Sequence, residues 1–329
     1  MFTIKFDGND FYCTDGESVL DCLLRHKIKV NYSCKTGTCQ TCLLHAENCA
    51  IPAGAQTGLP KNLVIQNYFL ACLLYPDSNI DVSLATPSDL FRPATVTEKN
   101  YLTDDVLQLL LKPDEKLEYY PGQFINLKAE SETVRSYSLA GNPDESDLLE
   151  LHIKRMRNGK VSNWLFDELQ VGDEIEYQGA TGNSFYAKED LEQAVLLIGT
   201  GTGLAPLLSI VRYAISRGHR GEIVLYHGSR HSSGLYLNDQ LIKLAKTVEN
   251  FTYHACLSGK IDLNDALQGR ASDLALQHHK ELTGWQVFLS GEPEMVKDAQ
   301  QRCYLAGANL DEIHTDPFIL RDLRRRRRK

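Results

Sequence analysis

The spacing of apolar and polar positions changes rhythm three times along the chain. Residues 2–6 and 10–14 alternate like two short strands, and Asp7-Gly8-Asn9 between them supplies hairpin-turn chemistry. Val19, Leu20, Leu23 and Leu24 then recur at helical spacing, which predicts an amphipathic helix over about 18–26. A loop of small and polar residues follows, and Ala85-Thr86-Pro87 reads as a linker. From 89 to 189 short β-like runs dominate, among them 107–111, 124–128 and 149–153. Pro121-Gly122, Gly141-Asn142-Pro143 and Asn158-Gly159 separate such runs, which predicts an antiparallel β-barrel. A helix from Ser162 to Leu169 interrupts it. From 190 to 320 strands at 194–198, 223–227, 251–256 and 286–289 alternate with helices after Ala205 and around 238–248 and 292–305. That alternation predicts an α/β doubly wound parallel sheet.

Composition narrows the class. A chain of 329 residues suits two or three domains, and 43% apolar with 24% charged residues excludes global disorder and fibrous repeats. No apolar run approaches the roughly 18 residues of a membrane span. Lys5 and Asp7 sit inside the first alternating run, which does not read as a signal peptide. The expectation is a soluble, cytoplasmic monomer. The net charge of −8 averages two unlike parts: residues 321–329 sum to +6 and the rest to −14. An acidic body of this kind is a poor nucleic-acid surface. The basic tail reads as a solvated charge run, or as a docking element for an acidic partner or anionic lipid.

Seven of the nine cysteines fall within the first 72 residues. An odd count without a secretion signal argues against a disulfide framework. Cys34, Cys39, Cys42 and Cys72 stand in the C-x4-C-x2-C…C spacing of plant-type [2Fe–2S] ligands. Gly37 and the small neighbours Ser33, Thr36 and Thr38 would let backbone N–H groups approach the cluster sulfurs. Zinc is the competing metal, but its sites pair one C-x2-C with a second, which is missing here. Cys13, Cys22, Cys49, Cys256 and Cys303 lack such spacing and read as buried small hydrophobes.

Two further constellations carry chemistry. In Arg135-Ser136-Tyr137-Ser138, strand geometry puts Arg135 and Tyr137 on one face, able to hold a pyrophosphate beside an aromatic ring system. The stretch from His152 through Lys154, Arg155, Arg157, Gly159, Lys160 and Val161 to Ser162 places four cations before a helix start, with Ser162 near the N-cap. Anions bind at such helix ends, and a solvated basic turn is the alternative. Gly199-Thr200-Gly201-Thr202-Gly203-Leu204-Ala205-Pro206 lies between a strand and a helix, where a backbone can approach a pyrophosphate. Its spacing is not G-x-G-x-x-G, which disfavours a standard dinucleotide dehydrogenase. The next strand end carries Arg230 and His231, with Tyr236 beyond, where an adenosine ribose is met; these cations would admit a 2′-phosphate. Ser290, Gly291 and Met295 sit at a later strand end, near the reacting ring, and Phe318 closes the body as either a ring cover or core.

Together these motifs resemble the ferredoxin–NADP reductase superfamily in its fused form, the reductase components of bacterial multicomponent oxygenases. Phenol hydroxylase, methane monooxygenase and benzoate dioxygenase reductases share this order, and the resemblance covers about 1–320. It implies a β-grasp plant-type ferredoxin domain over 1–88, an antiparallel β-barrel FAD domain over 89–189 and an NAD(P)-binding domain over 190–320, with the tail 321–329 outside it. It further implies that Arg135 meets the FAD pyrophosphate, Tyr137 lies against the isoalloxazine and Ser138 lies near its reactive nitrogen. Ser136, His152, Lys154, Gly159, Val161 and Ser162 belong to the same cofactor stretch. Gly199, Thr200, Gly201, Thr202, Gly203 and Pro206 match the nicotinamide-nucleotide loop, and Phe318 the aromatic near the flavin. Many relatives have Cys-Gly-Pro where this chain has Ser290-Gly291-Glu292, so a thiol contribution is absent. The implied activity passes electrons from NAD(P)H through FAD to the cluster and on to an oxygenase or hydroxylase. The resemblance slightly favours NADH. A desaturase or deoxysugar dehydratase partner, a stand-alone diaphorase or flavin reductase, and a redox sensor without turnover are the alternatives.

Overall fold

The computed structural model describes residues 2–47, 49–59, 63–64, 66–84, 91–129, 133–187 and 190–319. The expected linker at Ala85-Thr86-Pro87, the boundaries at 88/89 and residue 189, and the tail 321–329 lie outside the described residues. The chain forms two compact units. The first comprises Met1–Pro93, Asn126–Ser136 and Ile175–Thr181. The second comprises Ala94–Ile125, Tyr137–Glu174 and Gly182–Lys329.

The first unit opens with β1 (Phe2–Phe6) and β2 (Asn9–Cys13) as an antiparallel hairpin. Asp7 and Gly8 both take positive φ, 48° and 75°, as a tight hairpin turn requires. In α1 (Val19–Arg25) the Ser18 hydroxyl accepts the Asp21 N–H at 3.1 Å, capping the first turn. Val19, Leu20, Cys22 and Leu23 form its buried face. β3 (Leu43–Ala46), β4 (Tyr68–Leu70) and β5 (Ile80–Leu84) complete a five-stranded sheet of order β2-β1-β5-β3-β4. β1 and β5 run parallel, so the chain between them must cross over, and α1 and the cysteine loop lie within that crossover.

A second sheet holds β6 (Arg92–Thr103), β7 (Val106–Pro113), β8 (Phe124–Lys128), β9 (Val134–Ser138), β10 (Leu149–Lys154) and β11 (Glu174–Thr181). Its order is β10-β7-β6-β11-β8-β9, and β7 is antiparallel to both β6 and β10. The helix expected from Ser162 is α2 (Lys160–Asp167). It begins two residues earlier, so Gly159 is the N-cap and Ser162 lies buried inside the first turn.

The third sheet is entirely parallel: β12 (Val195–Thr200), β13 (Ile223–Ser229), β14 (Phe251–Leu257), β15 (Leu267–Gln268), β16 (Gln286–Gly291) and β17 (Ile313–Pro317), in the order β15-β14-β13-β12-β16-β17. Successive strands step one way from β12 to β15 and the other way from β12 to β17. The crevice between β12 and β16 is therefore the place where such sheets bind ligands. Helices α3 (Leu204–Ser216), α4 (Asn238–Thr247), α5 (Ala271–His278) and α6 (Pro293–Leu305) connect these strands. Val195, Leu197, Leu225 and Phe288 pack in one core cluster, and Leu196, Ile198, Val224 and Leu289 in another. Alternate residues of the same strands thus feed two apolar layers. Among the described residues no helix is long and apolar enough to cross a membrane.

Candidate functional site

The cysteine loop between α1 and β3 turns on residues of positive φ: Lys35 (57°), Gly37 (82°) and Gln40 (54°). A side chain on Gly37 would run into Leu73, the neighbour of Cys72. Within the loop, Thr36 and Cys39 donate backbone N–H groups to Cys34 Sγ, and Cys34 donates its own to Cys39 Sγ, each at 3.3 Å. The Thr41 hydroxyl meets Cys39 Sγ at 3.0 Å. Cys39, Cys42 and Cys72 are buried, and Cys34 is partly open.

The four sulfurs fall into pairs, Cys34 with Cys39 and Cys42 with Cys72. The hydrogen bond from Cys39 lowers the Cys34 pKa, and the same contact raises that of Cys39. Likewise Cys42 lowers the Cys72 pKa and is itself raised. No three of the four sulfurs lie within 4.8 Å of one another. One zinc ion with bonds of about 2.3 Å would bring all four closer than that. Two pairs, with N–H donors that favour thiolate, fit two bridged irons instead. Cys13 and Cys22 do come within 4.8 Å of Glu17. That carboxylate is held by Arg25 at 2.8 Å, and burial pushes the Cys13 thiol up to about 12. These thiols behave as small core residues.

On β9, Arg135, Ser136 and Tyr137 are partly buried and Ser138 is buried. Arg135 Nη1 donates to the Val134 carbonyl at 2.7 Å. Ser136 Oγ donates to Asn126 Oδ1, also at 2.7 Å. Ser138 Oγ donates to Asp316 Oδ2 at 3.2 Å. Protein surrounds this carboxyl group although its strand end is partly open, and that burial raises its pKa to about 6. Sequence reasoning passed over Asp316. Its one signal was its place just before Pro317-Phe318.

The basic stretch differs from expectation. His152 is buried, its Nε2–H donates to Glu150 at 2.9 Å, and its Nδ1 accepts from the Tyr236 hydroxyl at 3.2 Å. Burial lowers its pKa, so it is neutral. Burial pushes Glu150 up, but the His152 hydrogen bond and Arg212, 2.6 Å away, win and hold it at about 2. Lys154 pairs with Asp105 at 2.9 Å and Arg155 with Asp167 at 2.5 Å. His152 and Tyr236 are thus interior side chains that hold one another, and Lys154 faces a carboxylate. A side chain on Gly159 would strike Ser162 Oγ and come within 2.8 Å of Met156 Cβ, so the turn into α2 needs glycine. Ser162 Oγ accepts the Met156 N–H at 3.1 Å, and Val161 is buried beside it.

At the end of β12, Gly201–Gly203 form one 3-10 turn that runs into α3. Pro206 sits in the first turn of α3, where its missing N–H costs nothing. A Cβ on Gly203 would strike the Ser290 carbonyl and lie 2.8 Å from Gly291 Cα, and one on Gly199 would lie 2.7 Å from Leu207 Cδ1. Gly291, at φ 115°, packs against Thr200, whose Oγ1 accepts the Glu292 N–H at 3.0 Å. Met295 is partly buried and gives its N–H to the Glu292 carboxylate at 2.8 Å, which caps α6. Arg230 is exposed just past β13. Phe318, partly buried, donates its N–H to the Gly291 carbonyl at 2.7 Å. Ser290 lies opposite Asp316 in the β16–β17 register. Ser138, Gly203, Ser290, Asp316 and Phe318 are therefore gathered at one carboxyl edge.

Ser290 is 1% exposed, and its Oγ has no hydrogen-bond partner. A buried hydroxyl without a protein partner is uncommon, and this one lies on β16 beside β12. His227 also escaped the sequence reading. Its Nε2–H donates to the Gly201 carbonyl at 3.1 Å, and burial lowers its pKa to about 4. A neutral imidazole thus pins the glycine turn without placing charge beneath it.

Comparison with known proteins finds a family model over each of three regions of the chain. Residues 2–77 match the 2Fe-2S iron-sulfur cluster binding domain, 93–186 the oxidoreductase FAD-binding domain and 197–301 the oxidoreductase NAD-binding domain. The chain is 32% identical to the ferredoxin–NAD(P)+ reductase component of the naphthalene 1,2-dioxygenase/salicylate 5-hydroxylase systems of a Ralstonia species, over 92% of this chain and 94% of the relative. It is also 32% identical to the reductase subunit of an Amycolatopsis aromatic O-demethylase, over 96% and 98%. The crystal structure of Amycolatopsis cytochrome P450 reductase GcoB superposes with a TM-score of 0.69 at 30% identity, covering 97% of this chain and 99% of that one. The ferredoxin reductase in carbazole 1,9a-dioxygenase gives a TM-score of 0.66 at 26% identity, covering 97% and 98%. The chain belongs to the ferredoxin–NAD(P)+ reductase family of oxygenase-system reductase components, with [2Fe–2S], FAD and NAD(P) as its cofactors.

Proposed function

We propose that the chain carries electrons from NAD(P)H to the terminal oxygenase of a multicomponent system. The observation that carries this reading is the presence on one chain of paired cluster thiols and of the Ser138–Asp316–Ser290 edge. A sensor needs no hydride site, and a flavin reductase needs no cluster. When bound, FAD takes two electrons with a hydride and gives them up singly, which joins a two-electron donor to a one-electron carrier.

The chain's own residues orient and shield. The Gly199–Gly203 backbone and the start of α3 hold the dinucleotide pyrophosphate, with His227 fixing the turn. Ser290 would meet the nicotinamide carboxamide, and Phe318 would cover the neighbouring ring. Asp316 accepts from Ser138 and so fixes the direction of that hydroxyl beside the flavin. The family resemblance assigns the FAD pyrophosphate to Arg135 and to the Gly159–Ser162 turn, and Tyr137 would lie against the ring system when FAD is bound. Cys34, Cys39, Cys42 and Cys72 hold the irons.

The three sheets support a β-grasp ferredoxin domain, an antiparallel FAD barrel and a doubly wound nucleotide domain, with bounds near 88, 189 and 320. None of the nine cysteines is in a disulfide, which supports a reducing compartment such as the cytoplasm. Exposed Arg230 supports tolerance of NADPH beside NADH. The test mixes holoprotein, NADH and a purified aromatic-ring oxygenase component. Oxygenated product that requires this chain is expected, and NADH oxidation with free flavin but with neither oxygenase nor cytochrome c would contradict the proposal.

A further inference from the structure

Among the described residues of the first unit, Asn126 is a polar side chain buried to 0% exposure. It stands at the centre of β8, a position where asparagine is a poor strand former. All of its polar atoms are engaged. Nδ2 donates to the Cys39 carbonyl at 2.9 Å and to Gln178 Oε1 at 3.3 Å. Oδ1 accepts from Ser136 Oγ at 2.7 Å. The amide cannot be turned round, because its oxygen would then face the Cys39 carbonyl, which has nothing to donate.

We infer that Asn126 is a positioning residue for internal electron transfer, tying the peptide of the cluster ligand Cys39 to the strand of the Arg135-Ser136-Tyr137-Ser138 motif. The link is short: from Cys39 Sγ through its own backbone to the carbonyl, across one hydrogen bond to a planar amide, and across a second to Ser136. It fixes the cluster loop against the strand that carries Arg135 and Ser136. A buried amide with every group satisfied is rigid, so this attachment holds through turnover. With both groups bound, the step it would serve moves one electron from reduced flavin to one ferric ion of the cluster, with no bond formed or broken. The inference rests on the electron relay proposed above, and the assay separates the two.

Asn126→Leu keeps the branching at Cγ and removes all three hydrogen bonds. Stopped-flow mixing of the loaded protein with NADH resolves flavin reduction from cluster reduction. The variant should keep two irons per FAD and a flavin phase within about twofold of the parent. Its cluster phase should slow at least about tenfold, with an altered cluster EPR or circular dichroism spectrum. Should Asn126→Leu fail to load its cluster, Ser136→Ala removes only the outer hydrogen bond and should slow the cluster phase about threefold. A cluster phase within twofold of the parent in the loaded Asn126→Leu, or in Ser136→Ala where that variant stands in, overturns the inference. A parent protein with no cluster phase at all would overturn the relay instead.

Discussion

Ser138 and Asp316 stand 178 residues apart in the chain and share a hydrogen bond of 3.2 Å. One ends a strand of the second sheet and the other lies near the end of a strand of the parallel third sheet. The contact makes a buried carboxyl group the orienting partner of the hydroxyl that the family resemblance puts beside the flavin.

That carboxyl group titrates near pH 6 because burial disfavours its charge. Its pKa is raised on folding, so its contribution to stability is fully present below the unfolded value of about 4 and is lost as pH rises through about 6. Denaturant unfolding across pH 4–8 should show the parent losing up to about 3 kcal/mol relative to Asp316→Asn over that window. Parallel stability curves for the two proteins would mean that the carboxyl is not buried as described. The same variant should remove an inflection near pH 6 from the rate of flavin reduction.

Gly203→Ala forces a methyl group against the Ser290 carbonyl and Gly291 Cα, both backbone, so neither can swing aside. Overpacking of this kind costs about 1–3 kcal/mol. The variant should melt earlier and its KM for NADH should rise, with FAD content unchanged. Gly8→Ala is the control: its site is equally short of a side chain, but a Cβ there meets nothing. Its strain comes from φ alone, and the KM for NADH should stay put.

Cys39→Ser removes one thiolate from the Cys34–Cys39 pair. Iron analysis should show the cluster lost, cytochrome c reduction abolished and NADH–ferricyanide activity retained. Loss of both activities would contradict the separation of the cluster from the hydride site.

Arg135→Ala should weaken FAD retention about tenfold or more, since charge-assisted bonds to a pyrophosphate are among the stronger ones. Equilibrium dialysis measures it, and unchanged affinity would remove Arg135 from the FAD site.

What the sequence disclosed was what is local. Cys34, Cys39 and Cys42 lie within nine residues, and the glycine turn from 199 to 203 sits directly between a strand and a helix, so spacing alone exposes both. The hairpin turn at Asp7-Gly8 and the long helices α3, α4 and α6 were legible for the same reason. Helix α5 was not, because its buried positions are Ala271, Ser272 and Ala275, which leave no apolar stripe to read. β17 was missed as well, since Ile-His-Thr-Asp-Pro carries one buried apolar residue. Roles set by tertiary contact were hidden altogether. Asn126 and Asp316 look like ordinary polar residues until their distant partners are known. His152 and Lys154 looked like anion contacts until Glu150, Tyr236 and Asp105 were found beside them.

Electron relay in this protein requires two carriers of different electron number working on one chain. Anaerobic titration of the loaded protein with NADH, followed by flavin absorbance and cluster EPR together, measures this directly. The expected result is uptake of about three electrons per chain, two at the flavin and one at the cluster. A flavin that bleaches fully while the cluster stays oxidised at every NADH concentration would contradict the relay.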